Sequence, residues 1–346
     1  MNMRGTHQPR KDHTVLIALS VLAAVTLVVG ATWFLTRDTP ESKAAPLKLP
    51  TQWPTSGGEL VRQVPMPTGE LAVALPTRTA GHVLCGAVPE PTWAAVLGGP
   101  VLREVDKAGN CHVVSANLEV SAKQWAEPVP MQGTEPEQVA VAGRQATLGR
   151  FGGNGFGEIL SVRLSSSTEK WVRPVLQLIV NRVPQDRGEH DLRGMVLSLA
   201  EKMIGAITTP GPKLPADGES REMTPIPGSG ITDAAYPLIT WQLCTQLSRV
   251  LNVPLDQVKP GPFGSCERES DLSVVKLVYD DESEEDYFPD RVAGRPAREK
   301  TSDSTVVVQL LDDSRQTLEI SWFDATKPDG ALRELAEKVV PPLLGR

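Results

Sequence analysis

The chain has 346 residues, 40% apolar and 22% charged, a composition that excludes wholesale disorder and a length that allows two ordinary cores. A formal net charge of -7, with no domain-sized basic patch, excludes nucleic acid as a partner, because phosphates demand a basic surface. The 30 prolines cluster, which points to linkers rather than to collagen-like structure.

Residues 1–13 are short and basic, with Arg4, Arg10 and Lys11 against Asp12 alone. Thr14 to Thr36 follows without a charge. As a helix its roughly 23 residues would span about 34 Å, enough to cross a hydrocarbon core. Arg37 and Asp38 beyond it cancel, so the positive-inside rule leaves 1–13 in the cytoplasm and exports the rest. The expectation is a single-pass cell-membrane protein that meets the lipid bilayer through Thr14 to Thr36. Its N-terminus would be cytoplasmic and its C-terminal bulk extracytoplasmic. A cleaved signal peptide ending near Ser42 and Ala44 is the alternative, but the apolar run is longer than a usual signal core.

Residues 37–77, rich in Pro, Gly, Ser and Thr, read as a stalk, and 208–237 read as a second linker. Two segments remain, 78–207 and 238–346. In the first, Pro89 and Pro91 interrupt a helix after Cys85, which resumes near Thr92 with Trp93, Val96 and Leu97 inward. Leu160, Val162 and Leu164 alternate with polar residues as a half-buried strand does, and so do Leu176, Leu178 and Val180. Leu192, Val196, Leu199 and Met203 then share one helical face. The second segment opens with a helical face of Leu243, Leu247, Val250 and Leu251. Strands follow at Val275, Leu277, Tyr279 and at Leu318, Ile320, Trp322, and the last helix carries Leu332, Leu335, Ala336 and Val339.

The segments also share short words in the same order. Leu84-Cys85, Cys111, Val141-Ala142-Gly143-Arg144 and Leu199-Ala200-Glu201-Lys202 match Leu243-Cys244, Cys266, Val292-Ala293-Gly294-Arg295 and Leu335-Ala336-Glu337-Lys338. An internal duplication explains four ordered matches better than chance, and so long a period means two domains rather than a solenoid. The expected fold class is α+β: an N-terminal transmembrane helix followed by two tandem modules, each an antiparallel sheet with flanking N- and C-terminal helices. The glycine of each VAGR reverses the chain between strands. Arg144 and Arg295 are the candidate ligand-binding side chains, since a guanidinium fork grips carboxylates and phosphates; the competing role is to brace the turn.

Each segment holds two cysteines. Four cysteines allow three pairings, and two copies built on one plan favour Cys85–Cys111 and Cys244–Cys266. Closing a loop of about 25 residues stabilises by roughly 3 to 4 kcal/mol in the chain-entropy model. The C-x-x-C spacing of zinc and redox sites is missing, so neither metal nor cofactor is expected.

Other motifs carry little chemistry. Gly152 to Gly157 lacks the spacing of a phosphate loop and reads as a hairpin. Asp280 to Asp290 packs seven acids into eleven residues and reads as a solvated, self-repelling loop. Were calcium bound there, Asp280, Asp281, Glu284 and Asp286 would be its ligands. His112 reads as a strand residue, and no nucleophile motif occurs.

An apolar helix after Leu84-Cys85 and a strand opened by Asn110-Cys111-His112, repeated at Leu243-Cys244 and Ser265-Cys266-Glu267, resembles the actinobacterial exported and lipoprotein family of DUF3558-like domains. The likeness covers most of each segment. It departs where many members have an aromatic residue, here Val113 and Arg268, and in being duplicated and helix-anchored rather than lipid-anchored. The resemblance implies export and disulfides, and no particular activity. The expected function is a non-catalytic, envelope-exposed binding or scaffold protein for an envelope protein, a peptide or a small-molecule ligand. The rivals are a sensory ectodomain acting through a partner subunit and an envelope hydrolase.

Overall fold

The computed structural model describes residues 58–128, 136–151, 157–184, 186, 188–312, 314–324, 328 and 330–345. Alternating apolar and polar residues make antiparallel strands the dominant element. The first sheet contains β1 (Glu59–Leu60), β2 (Leu102–Val105), β3 (Cys111–Val114), β4 (Leu118–Trp125), β5 (Glu137–Val141), β6 (Arg144–Phe151), β7 (Gly157–Arg163) and β8 (Val175–Arg182). Its order is β1-β2-β3-β4-β8-β7-β6-β5. The second contains β9 (Lys259–Gly261), β10 (Ser265–Glu269), β11 (Ser273–Asp280), β12 (Asp290–Val292), β13 (Arg295–Lys300), β14 (Thr305–Gln309) and β15 (Thr317–Asp324). Its order, β9-β10-β11-β15-β14-β13-β12, runs parallel to that of β2 to β8 in the first, so strands of the two sheets can be compared place by place.

Few helices accompany them: α1 (Thr77–Ala87), α2 (Glu90–Val96), α3 (Leu192–Ile207), α4 (Tyr236–Leu251) and α5 (Ala331–Leu343). α1 and α3 lie against the first sheet, burying Val83, Leu84, Val196, Leu199 and Met203 on Val120, Leu160, Val162 and Leu178. α4 and α5 lie against the second, burying Ile239, Leu243, Leu335 and Val339 on Leu277, Val306 and Ile320. Each side chain so buried contributes about 1.5–3 kcal/mol. Disulfides Cys85–Cys111 and Cys244–Cys266 tie α1 to β3 and α4 to β10.

Three expectations need correction. The α+β plan of tandem helix-flanked modules behind a transmembrane helix gives way to a mostly β structure of two antiparallel sheets, whose described residues all fall in one compact unit. The short strands β9, β10, β12, β13 and β14, invisible to a reading by periodicity, shift the balance toward sheet. The membrane placement is corrected as well. The span expected at Thr14 to Thr36 lies outside the described residues, and among those no helix is long and apolar enough to cross a membrane. The longest, α3 and α4, have 16 residues each, short of the roughly 20 a bilayer requires. Nor is the acidic stretch after β11 wholly solvated. Asp281 is only 5% exposed, and Glu285 pairs with Arg298 at 2.6 Å and Lys300 at 3.1 Å.

Asp281 lies in a buried polar seam between the sheets. Its Oδ2 accepts the Arg78 backbone N–H at 3.0 Å, one of the four donors that the first turn of a helix leaves open. Its Oδ1 accepts the Tyr236 hydroxyl at 3.1 Å. Nearby, Gln316 Nε2 donates to the Tyr279 hydroxyl at 2.7 Å and the Thr232 carbonyl at 2.8 Å, and the Thr79 hydroxyl donates to the same carbonyl at 3.1 Å. Arg62 pairs with Asp233 beside them. The buried Arg78 side chain reaches Glu59 at 2.6 Å and the Lys107 carbonyl at 2.9 Å. α1 is therefore held from both halves of the chain.

Burial pushes the Asp281 carboxyl above its ordinary 3.8, opposed by the Arg78 N–H and the Arg173 charge. A carboxyl with a raised folded-state pKa contributes stability that is full below 3.8 and is lost as pH rises through the raised value. Asp281→Asn keeps one acceptor, for the Arg78 N–H, offers its NH2 to the Tyr236 hydroxyl oxygen, and removes the titration. Urea melts across pH 3–7 are expected to show wild type losing stability with rising pH relative to that variant. Asp281→Ala, which strands two donors, is expected to cost about 1–3 kcal/mol.

Candidate functional site

The two VAGR stretches are two-residue hairpin loops. Val141 pairs with Arg144 and Val292 with Arg295, and all four central residues have positive φ: 48° and 73° for Ala142 and Gly143, 51° and 75° for Ala293 and Gly294. This is the type I′ geometry whose twist matches that of the strands it joins. The arginine that follows points at the end of the next strand over. Arg144 donates to the Leu164 carbonyl at 2.8 Å, just past β7, and Arg295 Nε donates to the Gln309 carbonyl at 3.1 Å, at the end of β14. Both side chains brace their hairpins.

They differ in what becomes of the charge. Arg295 is ion-paired with Asp312, an exposed side chain, at 2.9 Å, although its paired nitrogen is not aligned for a hydrogen bond. Arg144 has no ion pair among the described residues. It opens instead into a cavity of about 680 Å³, where Ser165 and Ser166 occupy the loop that in the second sheet supplies Asp312. That volume lies within the range of about 300–1,000 Å³ typical of small-molecule sites.

Five stretches of chain build the cavity. The ends of β6 and β7 bring Arg144 and Arg163. The C-terminal end of α3 brings Ile207, Thr208 and Thr209. The turn Gly69–Ala74 and the chain at Gly211 and Lys213 close the remaining side with Glu70. Arg163 and Lys213, both exposed, have no ion pair among the described residues. The Thr209 hydroxyl oxygen is buried without a hydrogen-bond partner. Glu70 is held in place: its N–H donates to the Pro212 carbonyl at 3.1 Å, and its Oε2 accepts the Leu214 N–H at 3.0 Å. The neighbouring Gly69 N–H donates to the Thr209 carbonyl at 3.0 Å. Three cations and four hydroxyls against one carboxylate make a wall suited to anions.

Of the two candidate arginines, then, the structure gives Arg144 a cavity and Arg295 an internal partner. Arg163, Lys213 and Glu70 have no signal in the sequence. Arg163 looks like one more outward residue of an alternating strand, and Glu70 and Lys213 lie in stretches whose composition suggests stalk and linker.

A second cluster invites a catalytic reading. His112 on β3 sits between Glu104 at 3.1 Å from Nδ1 and Glu119 at 2.7 Å from Nε2. With both nitrogens facing carboxylates, the ring is held between them and offers no free nitrogen to a substrate. Among the described residues no group of three or more His, Cys, Asp or Glu is placed to hold a metal ion. Of the four acids suggested for calcium, Asp281 is turned into the seam.

The hydrogen bond from His112 to Glu119, joined by that to Glu104, raises the imidazole above its ordinary 6.5 against the effect of burial, and Glu119 is lowered from 4.5 by His112. The histidine's contribution to stability is full below 6.5 and is lost as pH rises through the raised value. The glutamate's is full above 4.5 and is lost as pH falls through the lowered one. His112→Gln is therefore expected to cost about 1.5–3 kcal/mol, as for hydrogen bonds to charged groups. The difference from wild type in thermal melts is expected to be largest between pH 4.5 and 6.5 and to shrink on both sides.

No family model, no curated protein and no solved structure matches the chain.

Proposed function

We propose that the protein is a non-catalytic binding protein that captures an anionic ligand, a peptide or a small molecule, in the cavity beneath the first VAGR turn. The observation that carries this reading is the contrast between Arg144 and Arg295. Two arginines leave the same type of turn and brace corresponding strands, yet one is neutralised by Asp312 and the other faces an open cavity beside Arg163 and Lys213. An unneutralised arginine in a wall that also holds the unpartnered Thr209 hydroxyl is an arrangement that recognises carboxylate or phosphate. The two disulfides support an oxidising, extracytoplasmic setting, where such bonds form and persist.

Isothermal titration of the full chain at low ionic strength with succinate and with inorganic phosphate tests the proposal. Binding of at least one anion is expected, weakened about tenfold or more by Arg144→Gln, the scale of one lost charge-assisted hydrogen bond. Arg295→Gln is expected to leave it unchanged. Silence with both anions, or equal weakening by the two substitutions, would overturn the reading.

A further inference from the structure

We infer that the ligand is a zwitterion, an amino acid or short free peptide whose carboxylate faces Arg144 and Arg163 and whose ammonium faces Glu70. The inference rests on the anion capture proposed above and deepens it. Its first ground is that charges of both signs line one cavity without neutralising one another. Glu70 makes no ion pair with Arg144, Arg163 or Lys213, although all four share the wall. Opposite charges left apart in one cavity are complementary to a molecule that carries both.

The second ground is the way Glu70 is mounted. One carboxylate oxygen is committed to the Leu214 N–H, and its backbone is fixed to Pro212. The other oxygen has no protein donor among the described residues. A carboxylate anchored by one oxygen and open at the other is a seat for an ammonium group.

The third ground is the helix end. α3 terminates at this wall, with Ile207 and Thr208 in the lining, and a helix C-terminus carries partial negative charge that favours a cation. The Gly69 N–H to Thr209 carbonyl bond joins that end to the Glu70 turn, so both negative features belong to one side, which Lys213 also lines. Arg144 and Arg163 come from the strand ends that form another. A simple anion would use only the positive part of this wall. The volume of about 680 Å³ is enough for a molecule of a few residues.

The test is calorimetry of the full chain with trialanine, N-acetyl-trialanine and trialanine amide. Trialanine is expected to bind most tightly, with acetylation and amidation each weakening it about tenfold or more, as loss of one charge-assisted hydrogen bond does. Glu70→Gln retains a side-chain oxygen for the Leu214 N–H, so the turn keeps its bond. That variant is expected to bind trialanine and its acetyl derivative alike, while Arg144→Gln is expected to bind trialanine and its amide alike. Equal affinity of wild type for trialanine and N-acetyl-trialanine would overturn the ammonium site and leave anion capture standing. Binding of succinate or phosphate with no binding of trialanine would do the same. Failure of every anion and peptide would overturn both readings.

Discussion

A single carboxylate, Asp281, bonds the first turn of a helix 203 residues earlier in the chain, and the rest of the arrangement leans on that contact. A helix N-terminus exposes donors that must be satisfied where water is excluded. Here the acceptor comes from the opposite sheet, and the Tyr236 hydroxyl fixes its orientation. α1 begins directly after the turn Gly69–Ala74, so fixing the helix also fixes the turn. The Arg173 N–H donates to the Val73 carbonyl at 2.7 Å, and the Arg173 side chain bonds Thr77, linking the turn to the chain between β7 and β8. The seam thus reaches the cavity through a short series of hydrogen bonds, from Asp281 to α1 to the turn that presents Glu70.

The corresponding strand orders of the two sheets make the second an internal reference for the first. The type I′ loop, the arginine after it and the carbonyl it meets recur in both. What changes is the loop after the braced strand, which carries Asp312 in one sheet and Ser165 and Ser166 in the other. Replacing a partner acid by hydroxyls leaves a guanidinium without its counter-charge. A brace needs only the carbonyl, so the brace alone does not account for an open cavity beside Arg144.

Much of the local structure was legible from the residues. Leu160 and Val162, like Leu318 and Ile320, alternate because one face of a strand is buried, and they lie in β7 and β15. Pro89 divides the first helical stretch into α1 and α2 because its ring cannot continue a helix. The reversal at VAGR was legible from glycine, though the positive φ of Ala142 and Ala293 was not, since alanine gives no such signal. Long-range polar contacts were beyond reach. Asp281 stands in a run of acids that reads as solvated, and only the fold shows that Arg78 and Tyr236 wait for it. The cavity was hidden for the same reason: Glu70, Arg144, Arg163 and Lys213 come from four separate stretches, and only Arg144 belonged to a repeated word.

The central claim is that the first arginine is open to an exogenous anion and the second is closed. A crystal structure from crystals grown in sodium bromide, phased to show anomalous scattering, tests it most directly. A bromide peak within the cavity lined by Arg144, Arg163 and Lys213, with none at Arg295 and Asp312, is the predicted result. A peak at Arg295 with the Arg144 cavity empty would contradict the account.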